Sequence, residues 1–287
     1  MTSKEPDAME TRIKQLVDQL TNSPGKPELV AVIPTGGMGS QLSPLTLGMP
    51  KALVPINAKP MLIHILESLG HPPSVFKSAI VVGDAYLEMT EEYVKPYVPS
   101  LPVEPRFEKI PGTVPQILRR LNDKGLLTDP FLLWYSDILL PKDQDWAGPL
   151  AAYRAHASSS GHLGVLIVSL QYRYPIGIVT VEPGTDMARG FQEKPETLVG
   201  EWYRGNCAVA LLSPRFVNTV KGKSLFANIR GGAFSVYPYQ MPYSLDWVHV
   251  QQFADWHSIQ CACHSPLNAL DGDQVAIRER LKRMKIL

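Results

Sequence analysis

Three cysteines in 287 residues (Cys207, Cys261 and Cys263) are too few for a disulfide framework, so a reducing cytoplasm is the expected compartment. Long apolar runs are missing too. None approaches the roughly 20 residues that span a bilayer, and the first residues, with Lys4, Glu5, Asp7 and Glu10, carry no signal-peptide core. Charge of one sign is equally scarce: 28 Lys and Arg stand against 27 Asp and Glu, a formal net charge of +1. The densest basic stretch, Arg278 to Lys285, lies on a terminal helix and is broken by Glu279. This balance argues against nucleic acid as a partner, since its phosphates demand clustered cations. Neither an internal repeat nor a low-complexity segment is present, and the seven histidines form no hydrolase-like constellation. Proline, by contrast, is plentiful at 26 residues and implies many stiff loops. Hydrophobic content of 45% and charge of 19% fit an ordinary globular chain able to bury a full core.

One stretch organises the rest. Leu29 to Ile33 is an apolar run with the length and branching of a buried strand. It feeds Thr35-Gly36-Gly37-Met38-Gly39-Ser40, a backbone able to turn sharply and approach a ligand, and Lys51 follows a proline within a dozen residues. A strand entering a glycine-rich turn offers backbone N–H groups to anionic oxygens, and a nearby fixed cation completes a phosphate cradle. A tight turn without a ligand is the plain alternative at this point.

Along the chain, residues 1–27 read as a helical extension and linker. Ile13, Leu16, Val17 and Leu20 share one helix face, which is expected to pack on the main domain or on a neighbouring subunit. After the opening strand, Pro60 to Leu69, Leu87 to Tyr93 and Thr113 to Leu121 read as helices, and Ala79 to Val82 and Pro130 to Leu133 as strands. This alternation predicts an α/β fold: a three-layer, Rossmann-like, mostly parallel sheet with helices on both faces. The second half is richer in strands (Leu163 to Leu170, Gly177 to Glu182, Asn206 to Leu212) joined by proline- and aromatic-rich loops. A nucleotide-type half (28–150), a strand-rich half (151–260) and a C-terminal helical segment (261–287) would place a two-substrate site in the crevice between the halves. Acids near Asp271 and cations from Arg280 to Lys285 match the dipole of that last helix.

The motifs in order resemble the sugar-1-phosphate nucleotidyltransferases. Gly36-Gly37-Met38-Gly39-Ser40-Gln41-Leu42-Ser43-Pro44-Leu45-Thr46, followed by Pro50-Lys51, is similar to that family's glycine loop and Pro-Lys. Pro111-Gly112-Thr113 resembles its nucleotide-base loop, and Ser136-Asp137 its strand-ending metal-binding pair. Tyr174-Pro175-Ile176-Gly177, Glu193-Lys194-Pro195 and then Gly205-Asn206 resemble its sugar-phosphate site. The likeness covers about residues 29–256, and five motifs in order are far more specific than any one of them.

It implies attack of a sugar-1-phosphate oxygen on the α-phosphorus of a nucleoside triphosphate, with release of pyrophosphate. An attacking phosphate already ionised at neutral pH needs no general base. Lysines, backbone N–H groups and a divalent cation then suffice. By this resemblance Thr35, Gly36, Gly37, Gly39 and Ser40 hold the triphosphate, while Lys51 and Gln41 face the reacting phosphates. Glu108, Gly112 and Thr113 lie near the base. Asp137 carries Mg²⁺, with Mn²⁺ as the other candidate. Glu193 binds sugar hydroxyls, Lys194 the sugar phosphate, and Gly177 and Asn206 the ring. The strand-rich half becomes an inserted sugar-binding region, and a homo-oligomer is expected.

Two positions depart from the family. Gln41 replaces a loop arginine and removes a fixed bidentate cation. The second metal-binding aspartate falls on His249, with Asp246 three residues earlier; imidazole suits Zn²⁺ or Mn²⁺ better than Mg²⁺. Ala208 also stands where the family often has glycine. A catalytically silent, nucleotide-sugar-binding regulatory subunit is therefore the competing reading, although Lys51, Asp137, Glu193 and Lys194 are all retained. A nicotinamide-dependent oxidoreductase would need an acid about 20 residues after the glycines, where Ile56-Asn57-Ala58-Lys59-Pro60 has none. His257, Cys261, Cys263 and His264 have no tetrahedral zinc spacing and read as structural. The identity of base and sugar stays open.

Overall fold

The computed structural model describes residues 8–22, 27–36, 39–70, 74–156, 159, 161–169, 177–195, 203–238, 248–249 and 253–287. In chain order its helices are α1 (Ala8–Asn22), α2 (Met61–Ser68), α3 (Leu87–Val94), α4 (Val114–Asp123), α5 (Ala147–Ala155), α6 (Pro214–Thr219), α7 (Phe253–His264) and α8 (Gly272–Arg283). The strands are β1 (Leu29–Pro34), β2 (Pro55–Ile56), β3 (Lys59–Pro60), β4 (Phe76–Gly83), β5 (Pro105–Lys109), β6 (Phe131–Trp134) and β7 (Ile138–Leu139). They continue with β8 (Gly164–Ser169), β9 (Ile178–Val181), β10 (Ala188–Gln192), β11 (Tyr203–Leu212), β12 (Phe234–Pro238) and β13 (Val248–His249).

The central sheet runs β10-β9-β11-β6-β1-β4-β5, with β8 also on β11 and β12 on β8. Pairing directions make β1, β4, β5, β6, β8, β9 and β12 point one way and β10 and β11 the other. The expected mostly parallel α/β sheet is therefore what forms, and every antiparallel pair in it involves β10 or β11. Strand alternation explains the three layers. Leu29, Ala31 and Ile33 of β1 face one core with Leu62, Leu66 and Leu150 from α2 and α5. Val30 and Val32 face the other with Ile117, Leu118 and Leu121 of α4 and Phe216 of α6. The central strands β1 and β6 are thus apolar on both faces, as a covered parallel sheet requires.

β11 is the hinge between the halves. Its first residues pair with β9 and its last with β6, end to end along one edge, while β8 lines the other. The register shifts between Asn206 and Ala210, and Ala208 sits at φ 53, a left-handed conformation rare outside glycine. This kink lies beside the end of β6, where the Tyr135 N–H donates to the Ala208 carbonyl at 3.3 Å.

α1 packs on α5, with Ile13, Leu16 and Val17 half-buried, so the extension lies against the main domain. α7 packs on α8. Leu281, Met284 and Ile286 are buried in the core, and Asn57 Nδ2 donates to the Ile286 carbonyl at 2.8 Å. Asp271 caps α8 by accepting from the Gln274 N–H at 2.8 Å, so the acid at that helix start has a local role. No helix among the described residues is long and apolar enough to cross a membrane.

Candidate active site

The carboxyl ends of β1, β4 and β6 converge where an open parallel sheet binds ligands. Past β1, Thr35 is buried and used internally: its N–H and Oγ1 both donate to the Val82 carbonyl, at 2.7 and 3.0 Å. That double tie fixes the departure of the chain, and the exposed Gly36 follows with open space where a side chain would stand. Gly37 lies outside the described residues. Gly39, at φ 56, turns the chain back. A methyl group there would lie 3.0 Å from Thr46 Cγ2 and 3.4 Å from Lys51 Cβ, so Gly39 is required both by its backbone angle and by this close approach. Thr46 Oγ1 donates to the Gly39 carbonyl at 2.7 Å, and buried Leu42 anchors the turn from below. Ser40 and Gln41 stay exposed on its upper side.

Lys51 opens a short 3-10 turn and points across to β6. There Tyr135-Ser136-Asp137-Ile138 closes a turn, with the Ile138 N–H donating to the Tyr135 carbonyl at 3.2 Å. Lys51 Nζ meets Asp137 Oδ2 at 2.8 Å, both side chains being 18% exposed. The two residues, 86 apart in sequence, are thus brought into contact at the foot of the glycine turn. β13 pairs antiparallel with β7 and sets His249 opposite Ile138, one residue past Asp137. Asp246 lies outside the described residues.

The second-half motifs gather on the other wall. A side chain at Gly177 would strike the Phe191 ring at 2.5 Å and come within 3.8 Å of Glu193 Oε2, which places Gly177 and Glu193 together. The Asn206 N–H donates to the Gly177 carbonyl at 2.8 Å, and Asn206 Oδ1 accepts the Ala208 N–H at 3.3 Å. Glu193 and Lys194 are exposed, Lys194 at φ 41. Tyr174-Pro175-Ile176 lies outside the described residues. Tyr135 joins the two walls. Burial, reinforced by the carboxylates of Asp137 and Glu193, pushes its phenol well above the usual range and keeps it a proton donor. Its ring packs on Phe226 at 5.9 Å, and Phe226 on Phe191 at 5.8 Å, so an aromatic line runs from beside Asp137 to Gly177. No single motif signalled Tyr135, Phe191 or Phe226.

At the sheet edge, β5 extends β4 in parallel register, with Lys109 opposite Gly83. Gly112, at φ 130, leads into Thr113 at the start of α4, whose N–H donates to Gln116 Oε1 at 2.9 Å. Glu108 sits in an ion-pair cluster. Its Oε1 takes Arg106 and its Oε2 takes Lys124, at 2.5 and 2.8 Å, and the hydrogen bond from Lys124 leads in holding this carboxyl below its ordinary range. Between the ends of β1 and β4 lies a cavity of ≈ 260 Å³, walled by Thr35, Gly36, Gly83, Asp84, Tyr86 and Leu87 among others. Asp84 carries no motif; its place directly after an apolar strand is the one signal the sequence held.

The fold and these side chains define the class: a Rossmann-like α/β protein with a glycine turn, a lysine–aspartate pair and a kinked strand beside them. A family model described as nucleotidyl transferase matches residues 30–206, and the chain belongs to that family. The mannose-1-phosphate guanylyltransferase 1 of Arabidopsis thaliana is 28% identical over 200 residues, 67% of this chain and 52% of the relative. The mannose-1-phosphate guanylyltransferase catalytic subunit beta of Dictyostelium discoideum is 28% identical over 200 residues, with the same coverage. The chain spans about half the length of the curated relatives it matches. Among solved structures, the inositol-1-phosphate CTP transferase from T. maritima superposes with a TM-score of 0.60 at 14% identity, covering 91% of this chain and 97% of that one. The last likeness is one of fold, and the resemblance drawn from the motifs is borne out.

Proposed function

We propose that this protein transfers a nucleoside monophosphate from a nucleoside triphosphate to a sugar-1-phosphate or a sugar-like cyclitol phosphate, giving a nucleotide sugar and pyrophosphate. The observation that carries this reading is the Lys51–Asp137 pair, set between the glycine turn and the Gly177–Glu193 wall. The reaction needs charge neutralised and two phosphates aligned in line, without a proton acceptor of its own. Lys51 supplies a cation whose position Asp137 fixes. The exposed backbone at Gly36 and the turn at Ser40 and Gln41 face the triphosphate. Glu193 orients the acceptor hydroxyls, Lys194 meets its phosphate, and Gly177 and Asn206 leave room for its ring.

Asp137 suits Mg²⁺. Among the described residues no three His, Cys, Asp or Glu side chains gather into a metal cluster. Mg²⁺, however, is ordinarily held by one or two carboxylates, with water and substrate phosphate oxygens filling the other positions. Bound there, the ion would add positive charge against the phosphates. Asp246 and His249 are the candidates for a second ligand, and His249 would shift preference toward Mn²⁺. A silent nucleotide-sugar-binding subunit is the second reading, favoured by Gln41 where a cation is expected. Pyrophosphate release, measured over a panel of triphosphates and sugar- or cyclitol-1-phosphates with Mg²⁺ or Mn²⁺, separates the two. Turnover with any pair supports the transferase. Binding of a nucleotide sugar without turnover under every pair leaves the silent subunit.

A further inference from the structure

The cavity beside the glycine turn lies below the roughly 300 Å³ at which pockets begin to enclose drug-sized ligands, so it suits a base better than a whole nucleotide. It reaches Gly36, where no atom stands within 4 Å of the missing side chain, so a nucleotide can run from the cavity onto the turn. Buried Leu87 and half-buried Tyr86 offer apolar surface to the faces of a ring. The polar groups of the wall are mostly committed. Thr35 Oγ1 donates to the Val82 carbonyl, and the Gly83 carbonyl accepts from the Ile110 N–H at 2.9 Å. Asp84 is the charged side chain in the wall. Its Oδ1 accepts the adjacent Ala85 N–H, which leaves Oδ2 and a second lone pair on Oδ1 for a ligand. Lys109 is attracted to Asp84, but its ammonium is held by Glu88 Oε1 at 2.8 Å.

A carboxylate presents two acceptors side by side and no donor. Guanine presents the matching edge, an N1–H next to a 2-amino group. Adenine offers a bare N1, cytosine a bare N3 beside its one amino group, and uracil or thymine a single N–H between two carbonyls. Each of these sets at least one acceptor against the carboxylate or leaves one oxygen without a partner. Resting on the nucleotidyltransferase reading, we propose that this cavity is the base site and that Asp84 selects guanine by accepting from N1–H and the 2-amino group. Glu108 is held by Arg106 and Lys124 and does not line this cavity, so it does not take that role.

The test is calorimetric titration of the full chain with GTP, ITP, ATP, CTP and dTTP in the presence of Mg²⁺, repeated for Asp84→Asn and Asp84→Glu. ITP keeps N1–H and lacks the 2-amino group. The wild-type chain should bind GTP roughly tenfold or more above ITP, and ITP above ATP. Asp84→Asn should lower GTP affinity by roughly tenfold or more and bring the GTP-to-ITP ratio toward one, with the thermal unfolding midpoint unchanged. If Asp84→Asn fails to fold, the wild-type ranking decides the base and Asp84→Glu, which keeps both acceptors but moves them, decides the residue. Equal binding of GTP and ATP, or unaltered selectivity in a folded variant, overturns the proposal. Binding and turnover of a different triphosphate leaves the transferase reading standing and removes guanine. Binding of none of the five removes both.

Discussion

Lys51 and Asp137 each keep less than a fifth of their side-chain surface in water, so their interaction is less screened than that of an exposed pair. Removing either breaks this pair and takes a cation or a metal ligand from the reacting phosphates. Lys51→Met should therefore lower the turnover number about 100-fold or more, the size seen when one preorganised charge is lost from a transition state. Pyrophosphate release measured beside an unchanged melting curve checks it. At Gln41 the expectation runs the other way. The side chain is exposed beside the turn, so Gln41→Arg would add a bidentate cation without displacing packed atoms. It should lower the KM for the triphosphate several-fold, and turnover should rise if the missing cation is what limits the rate; steady-state kinetics separate the two effects. Ala208 holds a left-handed angle that costs a non-glycine residue of order 1–2 kcal/mol, partly offset by the extra unfolded-state freedom of glycine. Ala208→Gly should stabilise the fold by about 0.5–1 kcal/mol in urea titrations.

At the scale of elements, what could be foreseen depended on how each segment buries its surface. β1, β4, β6, α2 and α4 were legible because apolar runs and helical stripes announce them. β5 was not: its sequence, Pro-Arg-Phe-Glu-Lys, lies at the edge of the sheet and keeps Arg106 and Lys109 exposed. α5 was missed for the opposite reason. Ala147, Gly148, Pro149, Leu150, Ala151, Ala152, Tyr153 and Ala155 are all buried, which erases any stripe, and Pro149 reads as a breaker. The family was legible because its motifs came in order, and the family model matching residues 30–206 bears that resemblance out. The aromatic line was not, because Tyr135, Phe191 and Phe226 come from three separate places, the end of β6, the β9–β10 hairpin and the short 3-10 turn Phe226–Asn228. That hairpin gives an element-level prediction. Gly177→Ala would place a methyl 2.5 Å from the Phe191 ring, so either the ring or the start of β9 must shift. The acceptor side should suffer and the nucleotide side should not. Its signature is a raised KM for the sugar-phosphate with nucleotide affinity unchanged; an equal loss of both would place Gly177 in the general frame of the fold.

Across the whole molecule, two buried histidines far apart in the fold tie stability to pH. His64 on α2 is buried, with Nε2 on the Ile56 carbonyl at 2.9 Å, and burial above all lowers its pKa to about 4. His162 before β8 is buried with Nε2 3.1 Å from Ser235 Oγ and its ring stacked on His156 at 4.8 Å. Burial leads in bringing its pKa to about 4 as well. Above pH 6.5 both rings are neutral, folded or unfolded, and neither affects stability. As pH falls from 6.5 toward 4 the unfolded chain takes up two protons that the folded chain refuses, so stability falls with pH. At pH 5 the loss is about 2 kcal/mol for each histidine, from 1.36 kcal/mol per pKa unit over the 1.5 units below 6.5. That is a large share of the ~5–15 kcal/mol by which a typical domain is stable. Urea unfolding at pH 7.5 and pH 5 should show the fall, and His64→Gln or His162→Gln should each remove about half of the difference. Equal unfolding free energies at the two pH values would mean that neither ring is held neutral by the core, and that water reaches both.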